Sequence, residues 1–222
     1  MLFLIGIFVG AVCLELYRRR RDKALRLRAE WRGAREFCDE RDLLAEDWTL
    51  LRAMLQQYAA NHPFAAVTKR TKFDECLEHY FKAIALVEKE DAVIERGIRL
   101  RHIRVQLGLD YVPLGQRIHT TRSLKLKQRL SVSNADGSPD WQQFVITDMN
   151  EATFSMSSAG PGGSPVVEPG SHLKCRLWRD EDARYLFDVT FLRVNSEKDV
   201  WEVWHADTIT RNQSRAYFRL RM

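Results

Sequence analysis

The side chains best equipped to hold a ligand stand in the last twelve residues, RNQSRAYFRLRM. Arg211, Arg215 and Arg219 recur there at four-residue spacing, around Ser214, Tyr217 and Phe218. A guanidinium is a planar, permanently charged fork of donors that meets a phosphate or carboxylate with two parallel hydrogen bonds, a geometry lysine matches poorly. The whole chain has a formal charge of +5 and a pI near 9.1. That balance leans toward anionic partners: phosphates, nucleotides, nucleic acid or a lipid surface.

A second polar set lies further in, with Lys125 and Arg129 in KLKQR and Asp148, Asn150 and Thr153 in TDMNEATFSM. Other chemistries find little support. The histidines (His62, His79, His102, His119, His172 and His205) show no metal-ligand spacing and no partner carboxylate pattern, so no metal is expected. GPGGSP (Gly160 to Pro165) is too rich in proline for a phosphate loop, and no GK[ST] follows it. Glu181 and Asp182 belong to a solvated turn. With no nucleophile elbow and no HExxH, neither an enzyme nor a cofactor is expected. Trp141, Trp178, Trp201 and Trp204 with their flanking arginines superficially suit a single-strand stacking platform. They fall in alternating strands, however, where at least half should face inward, so nucleic acid is not the expected partner. The cysteines, Cys13, Cys38, Cys76 and Cys175, are far apart and form no CxxC pair, which fits reduced thiols in a cytoplasmic protein.

The elements that would carry these groups change character near residue 110. The N-terminus, MLFLIGIFVGAVCLELYRRRR, is an apolar run interrupted by Glu15 and closed by Arg18 to Arg21. As a helix, Met1 to Tyr17 is roughly 25 Å long, a little short of the ~30 Å hydrocarbon core. The positive charge follows the run and no small-residue cleavage site is seen, so the expectation is a single-pass anchor in the inner membrane with the bulk of the chain cytoplasmic. A charged helix should follow. Leu44, Trp48, Leu51, Leu55 and Tyr58, then Phe73, Leu77, Tyr80, Ile84 and Val87, recur at the spacing of amphipathic helices. Asn61 to Phe64 breaks the first of these, Thr71 is the expected cap of the second, and a third should cover Asp91 to Gly108.

Beyond GLDYVPLGQ the pattern alternates with period two. LKLKQRLSVS offers Leu124, Leu126, Leu130 and Val132 as inward positions, and WQQFVIT, ATFSMS, HLKCRLW, ARYLFDVTFLRV and VWEVWHADTIT read as further short strands separated by turns. The expected class is α+β: an N-terminal transmembrane and charged helix, a small helical domain, and an antiparallel barrel. The expected divisions are residues 1–17 as anchor, 18–110 as helical region, 111–210 as barrel and 211–222 as linker.

In that strand half the order of features resembles the N-terminal barrel of YcgR-like flagellar brake proteins, the domain that precedes a PilZ domain. The resemblance covers roughly Ser123 to Leu220: a DG hairpin, a PG entry into the fourth strand, an acidic turn, RYLFDVTFLRV, a Trp-rich strand, then RNQSRAYFRL. It implies that residues 211–222 are the linker into a PilZ domain and that Arg215 and Arg219 are its RxxxR motif, gripping cyclic di-GMP, with Arg211 and Ser214 as weaker contacts. Many relatives have arginine where Ser214 stands. The second half of that clamp, a D/NxSxxG turn on a following barrel, does not occur before Met222. Two explanations are open: a longer protein, or loss of the effector domain. Inside the barrel, Asp148 and Asn150 with Arg129 sit where a PilZ site would lie, but Thr153 stands in the place of its glycine, so this set reads as a degenerate site. The implied function is a non-enzymatic, membrane-anchored cyclic di-GMP receptor or effector, with flagellar motor components as an example of its protein partner. The alternative is a membrane-anchored scaffold whose degenerate barrel binds no nucleotide.

Overall fold

The computed structural model describes the backbone of residues 2–113, 116–134, 140–160, 167–179, 183–195, 200–206 and 208–212, with side chains described from residue 14 onward. The chain divides into two compact units, residues 1–76 and 77–222.

The first unit is helical: α1 (Leu2–Asp39), α2 (Ala45–Tyr58), α3 (Pro63–Thr68) and the start of α4 (Arg70–Ile84). Pro63 opens α3 at its first turn, where the missing N–H is no loss, and α2 has already ended at Tyr58. Thr71 lies inside α4 and does not cap it. The rings of Phe37 on α1 and Phe64 on α3 meet edge to face at 6.1 Å. Leu51, Met54, Leu55, Val67 and Phe73 fill the core of this unit, all with 0% exposure.

Among the described residues no helix is long and apolar enough to cross a membrane. This overturns the expected anchor over residues 1–17 and the inner-membrane placement with it. The apolar run gives about 25 Å of helix against a ~30 Å hydrocarbon core. α1 also continues unbroken through Glu15, Arg18 to Arg21 and Asp22 to Asp39.

Among its described residues the second unit holds the end of α4, then α5 (Glu90–Gln106), a 3-10 turn (Thr121–Ser123) and seven strands: β1 (Arg129–Asn134), β2 (Gln142–Met149), β3 (Thr153–Ser158), β4 (His172–Trp178), β5 (Arg184–Asn195), β6 (Val200–Trp204) and β7 (Thr210–Asn212). β1 through β6 close a six-stranded antiparallel barrel in the order β1-β2-β3-β6-β5-β4, because β4 pairs with both β1 and β5. β7 lies along the first residues of β5, Arg184 opposite Asn212 and Tyr185 opposite Arg211. Strict alternation decides which face is inside: β4 buries Leu173, Cys175 and Leu177 and turns Lys174 and Trp178 outward. Trp201 is the centre of the core, with its ring 4.8 Å from Phe144 and 5.2 Å from Phe191.

Two apolar residues depart from their expected places. Leu126 is 55% exposed, because residues 124–128 form a turn with Lys127 at φ 63 and the strand begins only at Arg129. Val87 is 84% exposed, since α4 ends at Ile84 and the stripe does not continue. α5 ends at Gln106, two residues short of the expected Gly108, and Gly108 follows the cap with a φ of 69 that suits a residue without Cβ. The amides of Gly108 and Leu109 return to the carbonyls of Val105 and Arg104 at 3.0 Å each.

Candidate functional site

The β2–β3 turn carries the internal polar set, and it is built from a short-range competition among hydrogen bonds. The Asn150 side-chain oxygen accepts from the amides of Ala152 (2.7 Å) and Thr153 (2.9 Å), and its Nδ2 donates to Thr153 Oγ1 at 2.8 Å. Asparagine is the residue type that folds back on its own backbone in this way. Thr153 Oγ1 in turn donates to Glu202 on β6 at 2.9 Å. Every polar atom of the Asn150 side chain is thus engaged within the turn. Asp148 sits at the β2 bulge, exposed, with Oδ1 accepting from the Met149 amide at 2.7 Å. Arg129 is the exposed first residue of β1, opposite Val145 on the other edge of β2.

Helix α5 closes over this turn. The Glu151 amide donates to the Gly97 carbonyl at 3.1 Å. A Cβ at Gly97 would stand 2.4 Å from Asn150 Oδ1 and 2.8 Å from both the Ala152 amide nitrogen and its Cβ, so only glycine lets helix and turn approach this closely.

Beneath the contact lies the most highly charged buried cluster among the described residues. Glu151 and Arg104 have 0% exposure. Arg104 donates from Nε to Oε1 at 2.7 Å and from Nη2 to Oε2 at 2.9 Å, a two-pronged pair, while its Nη1 reaches the Leu109 carbonyl at 3.3 Å. Arg101, three residues earlier on α5, donates to the same Oε1 and to the Arg122 carbonyl, each at 3.3 Å. Arg122 donates from Nε to the Glu151 carbonyl at 2.8 Å. One carboxylate therefore stands among three guanidiniums. His205 borders them, with Nε2 2.7 Å from the Asn150 carbonyl and Nδ1 2.8 Å from Thr121 Oγ1. A carbonyl only accepts, so Nε2 carries the proton and Nδ1 is left to accept from the hydroxyl. Burial, then the charge of Arg122 and more distantly of Arg101 and Arg104, holds the His205 pKa well below its ordinary 6.5 despite the bond to Asn150.

Sequence reading singled out Asn150 here but missed Glu151, Arg101, Arg104, Arg122 and Gly97. The one available hint was a pair of arginines three apart on a helix, Arg101 and Arg104, whose guanidiniums both reach Glu151. Of the linker residues, Arg211 lies half-buried in β7 opposite Tyr185; Ser214, Arg215 and Arg219 fall outside the described residues. The described cysteines, Cys38, Cys76 and Cys175, are buried free thiols. Burial pushes Cys38 and Cys76 up to about 11, and Cys175 further. Among the described residues no group of His, Cys, Asp and Glu could hold a metal ion.

The class these elements define is an α+β protein whose second unit is a closed antiparallel barrel with a helix sealed against one of its turns. No protein-family model and no curated protein matches the sequence. Among solved structures, it is similar to the Bacillus subtilis inhibitor of motility MotI/DgrA, at 8% identity over 42% of this chain and 48% of that one, with a TM-score of 0.34. It is similar to an N-terminal domain solved in solution at 14% identity over 42% of this chain and 88% of that one, TM-score 0.35. It is similar also to apo MrkH of K. pneumonia, at 12% identity over 43% of this chain and 39% of that one, TM-score 0.31. The chain covers less than half the length of MotI/DgrA and of MrkH.

Proposed function

We propose that this chain is a non-enzymatic effector in bacterial cyclic di-GMP signalling, acting on motility or another surface process, and that Arg215 and Arg219 are its nucleotide contacts. Cyclic di-GMP is a compact dianion with two guanines, and two guanidiniums can fork onto its phosphates and guanine edges and stack on its bases. The observation that carries the reading is the course of β7. It ties the chain to the barrel wall as far as Asn212, three residues in sequence before Arg215. A ligand held there would act through its differential affinity for two arrangements of the linker. Calorimetric titration of cyclic di-GMP into the full chain and into the Arg215→Ala/Arg219→Ala variant tests this. The expectation is weak binding that vanishes in the variant. Binding that survives in the variant removes the linker assignment.

A second reading is favoured by the β2–β3 turn. Asn150 has its hydrogen-bonding capacity filled from within and Gly97 stands against it, as suits a scaffold whose barrel takes no nucleotide. Absence of any heat of binding in the wild-type chain supports that alternative.

A further inference from the structure

We propose that the outward face of α5 and the turn before it form a homodimer contact, pairing two copies of this chain antiparallel about a two-fold axis. The inference is independent of the nucleotide reading.

The inward side of α5 is fully committed, with Val93, Gly97, Leu100, Ile103 and Arg104 all buried. The opposite side is not polar throughout, as a solvated face would be. Ile98 is 58% exposed and Val105 51%, and the half-buried Ile94 shares their stripe at the i, i+4, i+11 positions. Arg101 lies between them in that stripe, but its guanidinium turns away to Glu151 and the Arg122 carbonyl. Just ahead of the helix, Leu86 and Val87 are the most exposed large hydrophobic residues described, at 89% and 84%. Their turn is a built one. The amides of Val87 and Glu88 return to the Ile84 carbonyl at 3.0 and 2.9 Å, and Arg96 clasps Glu88 at 2.8 Å and Tyr80 at 2.8 Å.

What selects a second copy as the occupant is self-complementarity. Place the axis near Arg96 and run two α5 helices antiparallel. Ile94 then meets Ile98 of the other copy, and Val87 meets its Val105. The exposed Glu95 comes opposite the exposed His102 of the other copy, while Asp91 stays paired with Arg193 of its own chain at 3.3 Å. Apolar and charged positions match in one register, and each match occurs twice by symmetry. A contact of one helix and one turn is smaller than the standard interface, so the dimer should exchange with monomer at micromolar concentrations.

Sedimentation equilibrium of the full chain across that range tests the proposal. The expected mass rises with concentration from 26.0 kDa toward twice that value. Ile98→Asp should weaken dimerisation at least ~10-fold without lowering the unfolding midpoint, because the side chain is exposed. Glu95→Lys and His102→Glu should each weaken it, and the two together should recover it. A chain that stays monomeric overturns the proposal. So does association insensitive to Ile98→Asp, or a double variant no better than either single one.

Discussion

Glu151→Ala gives the most direct measure of what holds α5 on the barrel. The carboxylate has 0% exposure and takes both prongs of Arg104, at 2.7 and 2.9 Å. Its removal strands the Arg104 guanidinium in a site where water does not replace the lost partner, with Arg101 and Arg122 close by. Breaking such a pair from one side costs about 3–5 kcal/mol, a large share of the ~5–15 kcal/mol that keeps a domain folded. At roughly 2–4 °C per kcal/mol for a unit of this size, the midpoint should fall by about 6–20 °C. Urea unfolding followed by tryptophan fluorescence provides the assay, with the loss read as a lower midpoint at constant slope. The companion variant Arg104→Met/Glu151→Leu removes both charges and keeps volume, so it should return to within about 2 kcal/mol of the wild type. A loss below about 1 kcal/mol for Glu151→Ala refutes the reasoning. A double variant as unstable as the single one refutes it equally, since the cost would then lie in packing and not in a stranded charge.

Other variants probe the same contact. Gly97→Ala should destabilise by about 1–3 kcal/mol or more, since its Cβ would meet the Ala152 backbone nitrogen at 2.8 Å; Gly108→Ala, with no atom within 4 Å but φ at 69, should cost only about 1 kcal/mol, and denaturation of the pair ranks them. His205 is held neutral with its pKa below 6.5, so the unfolded chain takes up a proton there before the folded one does: the stabilisation is complete above that value and lost as pH falls below it. Unfolding midpoints measured downward from neutral pH should decline for the wild type, and His205→Gln should flatten that decline.

The strands were legible in the sequence because a half-buried strand writes its burial as alternation: Leu173, Cys175 and Leu177 inward, Lys174 and Trp178 outward. Helix stripes were legible for the same reason at another period. Legibility failed where local chemistry competes with the period. Leu126 continues the alternation in sequence, yet Lys127 takes a positive φ and turns the chain before the strand starts. Val87 continues a helical stripe, yet α4 has already ended. Pro63 in sequence signals a stop, yet α2 ends five residues before it and Pro63 opens α3.

The cluster was illegible for a different reason. Arg104 and Glu151 are 47 residues apart, and no periodicity links a helix to a turn between two strands. Only closure of the barrel brings them together, and a buried charged pair looks in sequence like two more members of a highly charged surface. The Asn150 turn shows the converse: its hydrogen bonds are local, so the residue type alone announced a turn, but whether that turn was open to a ligand depended on a helix more than fifty positions earlier. Gly97 decides it. A single side-chain atom at that position would stand 2.4 Å from Asn150 Oδ1 and 2.8 Å from the Ala152 backbone nitrogen, so the residue that permits the close approach is the one with no side chain to suggest it.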